Sequence, residues 1–175
     1  DNFINSFTSA LNELRTGGDV GNALVSELIN STNSVEIAQR KQNGADINGT
    51  YILWNPNLTT GGLNEYGTEY RPAYIGLGHE MAHIQDTWRG TIDQSTWVTV
   101  NGINIPNSEK YSTHIENQLR AEHNIPLRTH YGIDASPGQR KGLESTRIIW
   151  NRFSMFYNRK VKVNASFSVS TPFYY

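Results

Sequence analysis

Apolar residues recur three and four positions apart in several stretches of the chain, and apolar–polar alternation marks others. Phe3, Phe7, Leu11 and Leu14 share one stripe of a first amphipathic helix, stopped by Gly17-Gly18. Asp19 can cap a second helix that carries Leu24, Leu28 and Ile29. Val35 and Ile37 alternate with polar neighbours, and Thr50–Trp54 is a richer strand ended by Asn55-Pro56. Few aliphatics and a Gly-Gly pair between Asn57 and Arg71 predict a loop. A third helix is expected over 72–89, with Pro72 in its first turn, Gly90 at its stop and a core-facing stripe of Tyr74, Leu77, Met81, Ile84 and Trp88. Thr96–Val100 and Ile103–Ile105 flank Asn101-Gly102, the pair that a type I′ hairpin turn favours. Tyr111, Ile115 and Leu119 mark a fourth helix, capped by Asn107 or Ser108 and closed before Pro126. Ser136-Pro137-Gly138 reads as a turn. Strand-like Ile148–Trp150 and a clean alternation at Val161, Val163, Ala165, Phe167 and Val169 complete an α+β pattern with a small mixed or antiparallel sheet.

A chain of 175 residues suits a single domain with a sizeable core. Its net charge is −1 and no basic run exceeds two residues, which argues against nucleic acid or an anionic membrane as partner. No apolar run approaches a membrane span, and the N-terminus lacks the apolar core of a signal peptide. Cysteine is absent, so disulfides and thiolate metal sites are excluded and any metal must be held by His, Asp or Glu. The chain begins at Asp1 inside a helical pattern and reads as a piece of a longer protein, with its delivery signals outside this stretch.

One segment of the third helix specifies chemistry. His79 and His83 are four residues apart, hence one turn apart on the same side of a helix, opposite the apolar stripe. Both imidazoles can reach one metal ion, and Glu80 is placed to handle a metal-activated water without being a ligand. This is the spacing of zinc metalloproteases, and one zinc ion is expected. Gly76 and Gly78 each cost about 1 kcal/mol of helix propensity, so close approach of a strand or of a substrate backbone is expected there. A protease site needs a third protein ligand, expected from the fourth helix. Glu109 and Glu116 lie seven residues apart at nearly the same angle, on the margin of that helix's apolar stripe. Glu122 falls within the stripe and needs an arginine or a backbone donor. Glu109 is favoured because Ser112 lets the helices approach closely; Glu116 is the alternative. A second donor for the tetrahedral oxyanion is sought among Tyr131, His123, His130 and Arg128, and Tyr131 is favoured. Arg120 and Arg128 are expected to orient carboxylates, Glu116 or Glu122 among them. Asp86 is a candidate acceptor for the outer N–H of a ligating histidine. Trp54 suits the core better than the cleft.

The run from Ile115 to Gly132, Ile-Glu-Asn-Gln-Leu-Arg-Ala-Glu-His-Asn-Ile-Pro-Leu-Arg-Thr-His-Tyr-Gly, read together with Gly78-His-Glu-Met-Ala-His83, resembles the NleD-like effector zinc metallopeptidases. These are gluzincins that occur as type III secreted effectors and as toxin domains at the C-termini of Rhs and other polymorphic toxins. The resemblance follows element order from residue 20 to residue 132. It implies a zincin-like fold with an active-site helix and a second ligand-bearing helix, His79 and His83 as metal ligands, Glu80 as catalytic base and a downstream glutamate as third ligand. The Ser108-Glu109 stretch is similar to the family's glutamate-containing segment before its Glu-Asn motif, but the short spacing between Glu109 and Glu116 departs from it and leaves both in play. The resemblance further implies a secreted or delivered endopeptidase acting on a target-cell protein, with an immunity protein or inhibitor as a possible partner. Two other readings compete: a catalytically degenerate binding module of the same fold, and a zinc hydrolase of a non-protein substrate.

Overall fold

A computed structural model describes residues 2–134 and 141–175; the expected turn at Ser136–Gly138 lies outside the described residues. Helices α1 (Asn2–Gly17) and α2 (Asp19–Ile29) are followed by strands β1 (Glu36–Gln39), β2 (Gly44–Ala45), β3 (Tyr51–Trp54) and β4 (Leu63–Asn64). Helix α3 (Ala73–Trp88), strands β5 (Thr96–Val100) and β6 (Ile103–Pro106), and helix α4 (Ser108–Glu122) come next. The remainder holds β7 (Arg128–His130), β8 (Ile133–Asp134), β9 (Lys141–Gly142), a 3-10 turn at Glu144–Thr146, β10 (Ile149–Trp150), β11 (Phe153–Asn164) and β12 (Phe167–Tyr174). Among the described residues the fold is thus mixed α/β, with four α-helices and several small sheets.

Helix α3 runs through the centre. Leu77, Met81 and Ile84 of its apolar stripe are buried against Leu14, Leu24, Val25, Leu28, Ile52 and Leu119, while Tyr74 and Trp88 at its ends are only partly buried. Trp54 belongs to this core: it is 1% exposed, and its indole N–H donates to the Ala73 carbonyl at 3.0 Å. Gly78 meets a helix rather than a strand or substrate. A Cβ there would lie 2.4 Å from Leu119 Cδ1, so the missing side chain is what lets α4 pack closely on α3. Gly76 is pressed by the side chains of Asn43 and Arg71.

The first sheet has the order β1-β3-β2, with β1 parallel and β2 antiparallel to the central β3, which leaves β2 on an edge. The β5–β6 hairpin turns at Asn101 (φ 51) and Gly102 (φ 78), both left-handed as a type I′ turn requires. Other expectations need correction. Residues 57–71 are not all loop: Leu63 and Asn64 pair with β7, and Thr60 bridges Tyr70. Backbone pairing needs no aliphatic side chains, so composition hid it. Neither Asn107 nor Ser108 caps α4 with its side chain; Asn107 Nδ2 donates instead to the Ser95 carbonyl at 3.2 Å, tying the helix start to the preceding hairpin. Asp19 is the first residue of α2 rather than its cap, and the cap comes from α4, where the Glu122 carboxylate accepts the Val20 and Gly21 N–H groups at 2.6 and 3.1 Å. The C-terminal alternation is two antiparallel strands reversing at Ala165-Ser166, with Lys160 opposite Ser170 and Val161 opposite Val169. Both faces of its outer half are exposed, so the alternation there marks no core face.

Candidate active site

Tyr74 near the start of α3 meets His123 at the end of α4, and Gln85 near the end of α3 meets Tyr111 near the start of α4, so the two helices run antiparallel. That alignment sets the first turn of α4 beside the turn of α3 that bears His79 and His83. His79 Nε2 lies 3.2 Å from Glu109 Oε2, and His83 Nε2 lies 3.4 Å from Glu109 Oε1. The two rings stand 5.1 Å apart between centroids at 76°. One ligand atom from each of His79, His83 and Glu109 lies within 4.8 Å of the others, a group that could hold a metal ion. The donor chemistry fits: two imidazole nitrogens and one carboxylate make the usual three-ligand set of a catalytic zinc, with room for a fourth position.

Glu116, seven residues on and roughly 10 Å further along α4, stands behind that group rather than within it. Its carboxylate is fully buried and accepts from His79 Nδ1 at 2.9 Å, Arg120 Nε at 2.9 Å and Arg128 Nη1 at 3.0 Å, with Arg71 3.8 Å away. Burial disfavours its charge, but Arg128 and Arg120 outweigh that and hold Glu116 well below the usual carboxylate range. Burial likewise opposes charge on His79, yet its bonds to Glu109 and Glu116 push its pKa up to about 9. Glu109, against its own burial, is held well below the ordinary range by the two histidines. Glu80, next to them on α3 and 7% exposed, is raised: burial exceeds the pull of the His79 and His83 imidazoles. A buried carboxylate whose proton affinity is raised above the ordinary suits proton transfer.

Of the four candidate oxyanion donors, the structure brings Tyr131 to the cleft. Burial raises its phenol, and its hydrogen bond to Glu109 raises it further, so it keeps its proton at neutral pH. Arg128 stacks on the Tyr131 ring at 4.6 Å and donates to the Tyr131 carbonyl at 3.0 Å, which fixes the side chain's base. His123 pairs with Tyr74 at the far end of α4, and His130 is held by Thr129 and Glu144. Asp86 does not reach the histidines; it accepts from the Thr91 hydroxyl at 2.6 Å, one turn beyond His83. Glu116 takes the place expected of Asp86, on His79 Nδ1. The cleft encloses about 310 Å³ and is lined by His79, Glu80, His83, Glu109 and Tyr131 on one side and by the edge strand β2 on the other. Arg71, Asn43 and β2 were not singled out from sequence. Of these only the short Gly44-Ala45 pair carries any backbone signal, and two residues are too few to show a period.

A family model, Peptidase M91, described as "Effector protein", matches residues 1–131. No curated protein and no solved structure matches the chain.

Proposed function

The chain belongs to the Peptidase M91 family of effector proteins, and from that premise we propose that it is a zinc-dependent endopeptidase of zincin-like fold, delivered into a target cell to cleave a protein there. The observation that carries the reading is the convergence of His79, His83 and Glu109 in one cleft with Glu80 and Tyr131 beside them. His79 Nε2, His83 Nε2 and a Glu109 carboxylate oxygen would hold the metal. When bound, the ion supplies Lewis-acid chemistry, acidifying a water and polarising the scissile carbonyl.

The chain's own groups do the rest. Glu116 keeps the proton of His79 on Nδ1, which directs the Nε2 lone pair to the metal position and fixes the ring. Arg71, Arg120 and Arg128 keep Glu116 charged for that task. The Glu80 carboxylate takes the proton of the attacking water and delivers it to the leaving amine, so peptide and water are converted to an acid and an amine with protons balanced. The Tyr131 O–H donates to the oxyanion that develops on the scissile carbonyl. The edge strand β2, which lines the cleft, aligns an extended substrate by strand addition. The central β3 that bears Trp54 has no free edge for this.

A lysate of target cells treated with the protein, with and without chelator, tests the reading through new protein N-termini mapped by mass spectrometry. Termini that vanish with chelator, and in a Glu80→Gln protein that still carries its metal, are expected. Their absence with the wild-type protein, or their persistence in both controls, overturns it. The chelator and Glu80→Gln arms also separate an enzyme from a metal-holding binding module.

A further inference from the structure

Charge is distributed unevenly along the chain. Residues 145–175 hold Arg147, Arg152, Arg159, Lys160 and Lys162, five of the 15 lysines and arginines, and none of the 16 aspartates and glutamates. Arg147 is engaged by Glu144. Arg159, Lys160 and Lys162 lie together on the outer half of β11, where every residue from 158 to 168 is exposed. Register places Lys160 and Lys162 opposite Ser170 and Ser168 on one face of the hairpin, and Arg159 opposite Thr171 on the other. On its free side β11 pairs with β10 at Phe153 and Ser154 and its Met155 N–H donates to the Ile148 carbonyl, so among the described residues no strand lies beside 158–164. A row of unpaired backbone donors and acceptors is therefore flanked by cations on both faces.

The inner end of this strand reaches the catalytic region. Phe156 and Tyr157 line a groove of about 490 Å³ with Lys110 and Ser108, and Ser108 also lines the cleft of His79 and Glu80. Lys110 sits over the Trp97 and Phe156 rings at 5.2 and 4.7 Å, and Asp86 and Asp93 line the same groove. The whole hairpin lies beyond residues 1–131, the part that the family model matches.

We propose that the outer edge of β11 is a docking strand for an extended acidic segment of the protein substrate, outside the stretch held in the catalytic cleft. The proposal rests on the endopeptidase reading for the identity of that segment. Strand addition satisfies the exposed backbone whatever the sequence, and the cations supply selectivity, because an added strand places its side chains beside those of β11 on both faces. An anionic membrane surface is met by one face, and here the positive groups project from two. Charge opposite to the partner's also speeds encounter, an effect that salt screens.

Fluorescence anisotropy tests this with two labelled peptides, one alternating glutamate with valine and one alternating lysine with valine. The acidic peptide is expected to bind the intact chain, to weaken as salt rises to about 0.5 M, and to lose about tenfold in affinity in Arg159→Glu/Lys160→Glu/Lys162→Glu. Lys160→Ser/Lys162→Ser, which copies the serines across the hairpin, should lose less and guards against misfolding of the charge-reversed variant. Equal binding of both peptides, unchanged affinity in both variants, or binding to phosphatidylserine vesicles without binding of the acidic peptide overturns the proposal. Binding is read in Glu80→Gln protein as well. Failure to bind therefore removes the docking strand even if lysate proteins are cut, whereas binding without any cutting removes the endopeptidase reading.

Discussion

Seven residues apart on α4, Glu109 and Glu116 carry the same charge at nearly the same helical angle, yet they meet different partners. Glu109 faces two imidazole Nε2 atoms at the cleft; Glu116 faces the back of one imidazole and three guanidinium groups. Helical period made both visible in sequence and could not separate them, because the choice depends on which turn of α4 stands beside His79. The two positions should respond differently to substitution. Glu109→Ala should abolish stoichiometric metal binding while leaving the fold intact, as read by metal analysis and circular dichroism. Glu116→Gln leaves buried arginines without their counter-charge, and should cost roughly 3–5 kcal/mol of unfolding free energy in urea titrations, with metal affinity lowered about 10- to 100-fold through loss of the His79 Nδ1 partner. Equal metal loss in both variants with unchanged stability in Glu116→Gln would contradict these assignments.

At the scale of elements, the antiparallel pairing of α3 and α4 assembles the site, and Gly78 is its closest point. The sequence pattern located both helices to within a residue or two, and it marked Gly78 as costly without revealing that Leu119 was the reason. Gly78→Ala gains helix propensity of about 1 kcal/mol but drives a methyl into Leu119, so a net loss of about 1–2 kcal/mol is expected, together with weaker metal binding as the helices separate. Adding Leu119→Ala should recover the metal affinity, since it removes the clashing atoms, although the protein stays destabilised by the cavity. A double-mutant cycle showing no coupling between positions 78 and 119 would refute this. Glu122 couples a different pair: Glu122→Ala should cost about 1 kcal/mol by uncapping α2 and leave the metal site unaffected.

Across the whole molecule, the C-terminal hairpin is anchored on α4. His114 of α4 stacks on Tyr157 of β11 at 3.9 Å between centroids, meets Phe173 edge-on and hydrogen-bonds the Tyr175 hydroxyl. Burial in that aromatic box pushes its pKa down to about 4 from 6.5. A histidine lowered in the folded state contributes fully above pH 6.5; as pH falls from 6.5 towards 4 the unfolded chain takes up a proton that the folded chain refuses, and stability is lost. His114→Gln should therefore flatten the stability profile by up to ~3 kcal/mol over that interval relative to wild type, measured as urea midpoints at several pH values; parallel profiles would show that His114 is not the group responsible. What the sequence by itself determined is what short-range geometry governs: four helices, the type I′ hairpin, and His79, Glu80 and His83 on one helix, because a period of 3.6 or 2 and a turn dipeptide act over a few residues. What only the tertiary structure decided is everything that depends on which surfaces meet. The register of α4 on α3 distinguishes Glu109 from Glu116, a carboxylate distant in sequence caps α2, and β2 becomes the edge facing the cleft. Each is a contact between residues tens of positions apart, and no local pattern encodes it.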